Sequence, residues 1–193
     1  MELSSAIDSG WGIQVVRRIE LEASHPVLRI QTEYRKLRGS PVKVAIWTIT
    51  QMQEPERLCM LLDPQSKLAG SYVHLLAPEP AELRIQGSVL SFTRHRRAFT
   101  KIGSDGSSLA WIGASCVVRI DVDPMPGNYT DGGCHTEIYT NPDPLPYVEL
   151  ETLGPLTHMS VGDRIQQRAT YTVTRRRTHN LMDEEQRAFN SQT

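Results

Sequence analysis

Apolar and polar residues alternate with a period of two along much of the chain. From Trp11 to Leu21, Ile13, Val15, Ile19 and Leu21 are apolar while Gln14, Arg18 and Glu20 are polar, the pattern of a half-buried strand. Residues 27–34 repeat it, with Leu28, Ile30 and Tyr34 on one face and Arg29, Gln31 and Glu33 on the other. The break at Arg38-Gly39-Ser40-Pro41 supplies a turn, because Gly tolerates positive φ and Pro cannot continue a ladder. The β-branched run over 42–52 then predicts a third strand. Shorter runs recur at 71–76, 81–86, 88–94, 109–113 and 116–122, and three more strands are predicted over 134–140, 147–153 and 164–176. Short strands punctuated by turns predict an antiparallel all-β sandwich. Residues 1–178 are expected to form this single domain. Residues 179–193 read as a polar C-terminal tail, helical but loosely attached, because Leu181, Met182 and Phe189 are too sparse for a strong apolar stripe. The irregular stretches 52–70 and 123–133 are long enough to be working loops.

Composition narrows the function classes. With 193 residues, 39% of them hydrophobic, the chain can bury a real core and is not disordered as a whole. A formal charge of -1 provides no global field toward nucleic acid or an anionic membrane, so neither partner is expected. No apolar run approaches the roughly 18 to 20 residues of a bilayer span, and MELSSAIDSGWG lacks the basic start and apolar core of a signal peptide. A cytoplasmic location is therefore expected, provided Met1 is the true start. Cys59, Cys116 and Cys134 are odd in number and show no CxxC spacing, which fits free thiols rather than a disulfide framework or a four-cysteine zinc site. GxSxG, GxGxxG and Walker motifs are absent, so a nucleophilic serine and a nucleotide cofactor are not signalled. No cofactor and no metal are expected.

The segment Tyr147-Val148-Glu149-Leu150-Glu151-Thr152 carries the most suggestive chemistry. Side chains two apart on a strand share a face at a distance of about 7 Å, so Glu149 and Glu151 point the same way. Such a pair can divide acid and base work or clamp sugar hydroxyls or a cation; it can equally be a solvated strand face. Asp121, Asp123, Asp131 and Glu137 surround a loop with Gly127, Gly132 and Gly133, which suits hard oxygen ligation without EF-hand spacing, or simply a hydrated acidic loop. His135 lies two residues before Glu137 and can share its side as a proton donor, or be an ordinary exposed histidine. Two basic clusters, Arg94-His95-Arg96-Arg97 and Arg175-Arg176-Arg177, can contact a polyanion or pair with the abundant carboxylates.

The run Glu137-Ile138-Tyr139-Thr140-Asn141, followed after a turn by Val148-Glu149-Leu150-Glu151-Thr152, resembles the C-terminal signature of the galactose mutarotase-like superfamily, a "YT" strand and then a strand ending in "LET". The wider string from Tyr129 through Leu156, the 41–51 strand with Trp47, Thr100-Lys101-Ile102-Gly103 and Ala110-Trp111 look still more like a bacterial branch of that superfamily catalogued as a domain of unknown function, DUF4380. The likeness runs over most of residues 11–175. It implies a large antiparallel sandwich whose concave sheet binds a carbohydrate, with Glu151 at the position of the aldose 1-epimerase catalytic base. In those enzymes a histidine in an "NHxYxN" strand protonates the ring oxygen. The matching run here is Ile46-Trp47-Thr48-Ile49-Thr50-Gln51, with Trp47 in place of the histidine, which leaves epimerase activity in question and offers Trp47 as a stacking platform.

The superfamily's sandwich usually runs to about 270 residues, so the resemblance implies either a shortened variant or a late start. In the second case exposed sheet edges favour a homo-oligomer. The expected function is carbohydrate binding, with Glu149 and Glu151 on hydroxyls, Trp47 beneath the ring, and Gln51, His135 and Glu137 nearby. Any catalysis is expected to be isomerase-like proton transfer at an anomeric centre. The alternative is a non-catalytic structural or interaction module with a solvated glutamate pair, and a weaker one is a polyanion binder.

Overall fold

The computed structural model describes residues 1–190. Its strands are β1 (Glu2–Ser4), β2 (Ile13–Leu21), β3 (Val27–Lys36), β4 (Val42–Val44), β5 (Trp47–Gln53), β6 (Arg57–Leu61), β7 (Val73–Leu76) and β8 (Ala81–Gln86). They continue as β9 (Val89–Thr93), β10 (Thr100–Ser104), β11 (Ser108–Ile112), β12 (Cys116–Val122), β13 (Thr136–Thr140), β14 (Tyr147–Leu153), β15 (Thr157–Met159) and β16 (Arg164–Arg175). One helix, α1 (Leu181–Phe189), follows. A nine-stranded sheet of order β1-β2-β3-β16-β12-β11-β6-β9-β8 and a five-stranded sheet of order β5-β14-β13-β10-β7 form the antiparallel all-β sandwich that the alternation predicts, with β15 and β4 as a small separate ribbon.

The core lies between the sheets. Leu58, Met60, Leu90, Phe92, Leu109 and Ile120 on the nine-stranded side meet Ile102, Ile138, Val148 and Leu150 on the five-stranded side, all fully buried. A hydrogen bond of 2.7 Å between Thr50 and the Tyr171 hydroxyl crosses the same gap. Because Val148 and Leu150 face this core, the pleat turns Tyr147, Glu149 and Glu151 to the other side of the five-stranded sheet. The period-two reading of this strand is what the structure contains.

Three sequence expectations are corrected. The single strand over 42–52 is two strands in different sheets: the chain breaks at Ala45-Ile46, where Ile46 is buried and its carbonyl accepts from the Gly154 amide at 2.8 Å. The 52–70 loop contains β6, whose residues Arg57, Leu58, Cys59 and Met60 are all buried. A strand covered on both faces reads as a continuous apolar run and loses the alternation that betrays an edge or surface strand. The tail is also not loose over its described part. Helix α1 packs Ala188 and Phe189 against Cys59, Val89, Ala110, Ile112 and Val117 on the outer side of the nine-stranded sheet, and buries Glu184 and Glu185. Positions 191–193 of that tail lie outside the described residues.

Candidate functional site

Cross-strand register assembles the site on the open face of the five-stranded sheet. Glu137 on β13 stands directly opposite Glu151 on β14, which stands opposite Ile49 on β5. The next row along the strands is Lys101, Tyr139, Glu149 and Gln51. Directly opposed residues share a face with Cβ atoms about 5 Å apart, so three carboxylates and one ammonium are held close together. Trp47, at the start of edge strand β5, lies beside them.

Glu151 is only 1% exposed. Its Oε2 accepts the Trp47 indole N–H at 2.7 Å and the Lys101 ammonium at 3.1 Å, which leaves Oε1 without a donor among the described residues. The Lys101 ammonium also lies 2.5 Å from Glu137 Oε2 and 4.9 Å from the centroid of the Trp47 ring. Burial works against its charge, yet the ion pairs with Glu137 and Glu151 outweigh that cost and hold its pKa above the ordinary lysine value.

Glu137 is 0% exposed, and its carboxylate oxygens make no hydrogen bond of good geometry despite the nearby lysine. Burial lifts its pKa to about 7; Lys101 opposes the rise, while Asp131 and Glu151 add to it. The thiol of Cys134 helps to cover this group. Gly103, the neighbour of Glu137 on β10, has no side chain to compete for that space: a Cβ there would fall 2.4 Å from Cys134 Sγ. Burial, with the charges of Glu137 and Asp131, pushes the Cys134 thiol up to about 12, so it is an uncharged filler. Cys59 and Cys116 are free thiols as well.

Glu149 lies further out. Its carboxylate forms no ion pair or hydrogen bond among the described residues, and burial together with the Glu151 charge raises its pKa, with Lys101 opposing. Beside it, the rings of Tyr139 and Tyr147 are 6.3 Å apart, and Phe99 stacks on Tyr139 at 6.1 Å.

The structure thus brings together Glu151, Glu149, Glu137, Trp47 and Gln51. His135 is placed elsewhere, in a cleft of about 570 Å³ lined with Asp63, Lys67, Asp105 and Tyr129, its ring 4.1 Å from that of Tyr129. Burial lowers its pKa against the pull of Asp105 and Asp63, and Nδ1 is buried without a partner. Asp121 is also remote from Glu137: it accepts from Ser108 at 2.6 Å and Arg119 at 2.8 Å on the nine-stranded sheet. Among the described residues no three His, Cys, Asp or Glu side chains converge as a metal site. Within the basic clusters, Arg94 and Arg96 pair with Glu54 and Arg176 pairs with Glu56. A concavity of about 1070 Å³ between β16 and α1 contains none of the expected site residues. Sequence reasoning missed Lys101 as a site residue. Only the pairing register shows that its four-carbon stem reaches two glutamates on other strands.

No family model matches the sequence, and no curated protein does. Solved structures with the same fold include a candidate aldose 1-epimerase from Escherichia coli K12, with TM-score 0.60 and 12% identity over 90% of this chain and 64% of that one. Another from Klebsiella pneumoniae superposes with TM-score 0.61 and 9% identity over 97% of this chain and 53% of that one. A galactose mutarotase-like protein from Lactobacillus casei gives TM-score 0.52 and 8% identity over 90% and 68%. The chain has the β-sandwich fold of galactose mutarotase-like proteins, and spans less than two thirds of the length of both epimerase candidates.

Proposed function

We propose that the open face of the five-stranded sheet binds carbohydrate. The observation that carries this reading is Trp47, an indole left 49% exposed and fixed through its N–H to Glu151. A rigid, flat apolar surface beside carboxylate and amide groups suits the apolar face of a sugar ring and the hydroxyls around it. Glu149, Gln51 and Glu151 Oε1 are the polar contacts in this reading, while Glu137 acts from beneath the surface through Lys101. His135, in its own cleft, is left outside the sugar contacts. The motif likeness to the DUF4380 branch belongs to the same reading, supported by the placement of Glu137, Tyr139, Glu151 and Trp47 on one sheet.

A second reading, proton transfer at the anomeric centre, is favoured by the Glu137 carboxyl, which titrates at about 7 next to Glu151. In it Glu151 takes the proton of the anomeric hydroxyl, Lys101 gives one to the ring oxygen, and the bond from the anomeric carbon to that oxygen breaks. The open-chain aldehyde then recloses on its other face as both protons return. Lys101 holds its proton tightly, so the expected rate is low.

Proton NMR of freshly dissolved α-aldoses, following saturation transfer and the anomeric signals together, tests both readings. Binding is expected, and Trp47→Ala is expected to weaken it at least about fivefold. No transfer to any aldose overturns the carbohydrate reading. Faster anomeric equilibration that is lost in Glu151→Gln supports the second reading, and transfer without acceleration overturns it.

A further inference from the structure

The open face divides into two unlike halves. At one, Lys101 is neutralised by Glu137 and Glu151 and lies over the Trp47 ring. At the other, Glu149 forms no ion pair, Lys101 acting on it only at longer range, although it is partly desolvated; Tyr139 stands opposite it, with Tyr147 and Phe99 against the Tyr139 ring. Phe99 stacks on Tyr139 yet remains 53% exposed, so its outer face is open to a ligand. Aromatic faces carry negative potential and attract cations, and elsewhere in this chain they have one: Lys101 over Trp47, and Arg119 over Phe189. Among the described residues no cation lies over Phe99, Tyr139 or Tyr147. The neighbouring basic loop does not supply it through Arg94 or Arg96, since Arg94 is held by Glu54 and Asp143 and Arg96 by Glu54. The face as a whole holds three carboxylates against one ammonium.

We propose that Glu149, Tyr139, Tyr147 and Phe99 form a cation subsite, and that the carbohydrate taken by this face is an amino sugar whose ammonium group sits there. The inference rests on the carbohydrate reading above and names its ligand class. An ammonium group restores the missing counter-charge of Glu149 and meets ring faces that no protein cation covers, while its sugar ring reaches along the sheet toward Gln51 and Trp47. A uronic acid would bring a further carboxylate to a face already rich in them and is excluded by repulsion.

Competition titrations by saturation-transfer NMR near neutral pH, on the full chain, use glucosamine, glucose, N-acetylglucosamine, glucuronate and tetramethylammonium. Glucosamine is expected to bind about tenfold tighter than glucose or its uncharged N-acetyl derivative, the size of a cation–ring contact joined to a charge pair. Glucuronate is expected to bind weakest. In Glu149→Gln and in Phe99→Ala the preference for glucosamine should fall to within about twofold. Glucose and N-acetylglucosamine binding as tightly as glucosamine overturns the cation subsite and leaves the carbohydrate reading standing. Tetramethylammonium and glucosamine binding while neutral sugars do not supports the subsite and overturns the carbohydrate reading. Silence from every compound overturns both, and a preference that survives Glu149→Gln in a folded variant overturns the role of that carboxylate.

Discussion

Two groups of buried acids in this molecule are satisfied to very different degrees. Under helix α1, Glu185 receives Arg84 at 2.5 Å, Arg57 at 3.4 Å and the Ser91 hydroxyl at 3.0 Å, and Glu184 takes Arg187 together with the backbone N–H groups of Arg177 and Thr178. Burial alone would raise the Glu184 pKa, yet these donors hold it below the ordinary glutamate value. Under the open face of the five-stranded sheet, Glu137 has a single ammonium neighbour and no well-formed hydrogen bond, and its pKa rises to about 7. Glu184 and Glu137 are equally removed from water, but only Glu184 has been given enough donors to remain comfortably charged. Full satisfaction suits an acid whose task is to fix a helix. An under-satisfied acid next to a second carboxylate suits a site that exchanges protons or meets a ligand.

The comparison can be broken most forcefully at Glu185. Glu185→Ala removes the buried partner of Arg57 and Arg84, leaving Arg57 only the exposed Glu82 and Arg84 the Ser91 hydroxyl, and is expected to cost about 3 kcal/mol in urea unfolding. A loss below about 1 kcal/mol would mean that the helix acids are no better used than Glu137. The next largest effect is pH-dependent. Glu137 has its folded-state pKa raised from 4.5 to about 7, so the stability tied to its neutral form is fully present below pH 4.5 and is lost as pH climbs through about 7. Glu137→Gln cannot ionise. Relative to this variant, wild type should lose up to about 3 kcal/mol between pH 4.5 and 8; parallel stability curves would sink the assignment. The smallest effect concerns how α1 is started. Asn180 accepts the Met182 amide at its N-terminus, and Asn180→Ala should lower stability by about 1 kcal/mol in the same unfolding assay.

Much of the architecture was legible because half-buried strands announce themselves. On β3, Leu28 and Ile30 pack on the core as the alternation predicts, and the same logic placed Glu149 and Glu151 on one face of β14, whereas on β2 the buried residues are Ile13 and Val16 and Leu21 is exposed. β6 was illegible for the opposite reason, lying between the core and α1 with no polar side to show. α1 misled because its docking uses two buried glutamates as well as Ala188 and Phe189, so a count of apolar residues undervalues it. The site was half readable. Glu149 with Glu151 follows from spacing along one strand, whereas Glu137 with Glu151, and Lys101 reaching both, follow from which residues of β10, β13 and β14 face each other. That register is settled by the whole sheet, and no local pattern carries it.

The position of β16 has a consequence for how the protein is made. This late segment is inserted between β3 and β12, so the β1-β2-β3 meander joins the rest of its sheet only through residues 164–175. While a ribosome is still translating the middle of the gene, β3 and β12 expose open backbone edges, and the greasy outer surface of β6, β9, β11 and β12 waits for Phe189 to cover it. Until residues 164–175 are added, the nascent chain holds two unfinished pieces whose open edges can pair with neighbouring chains.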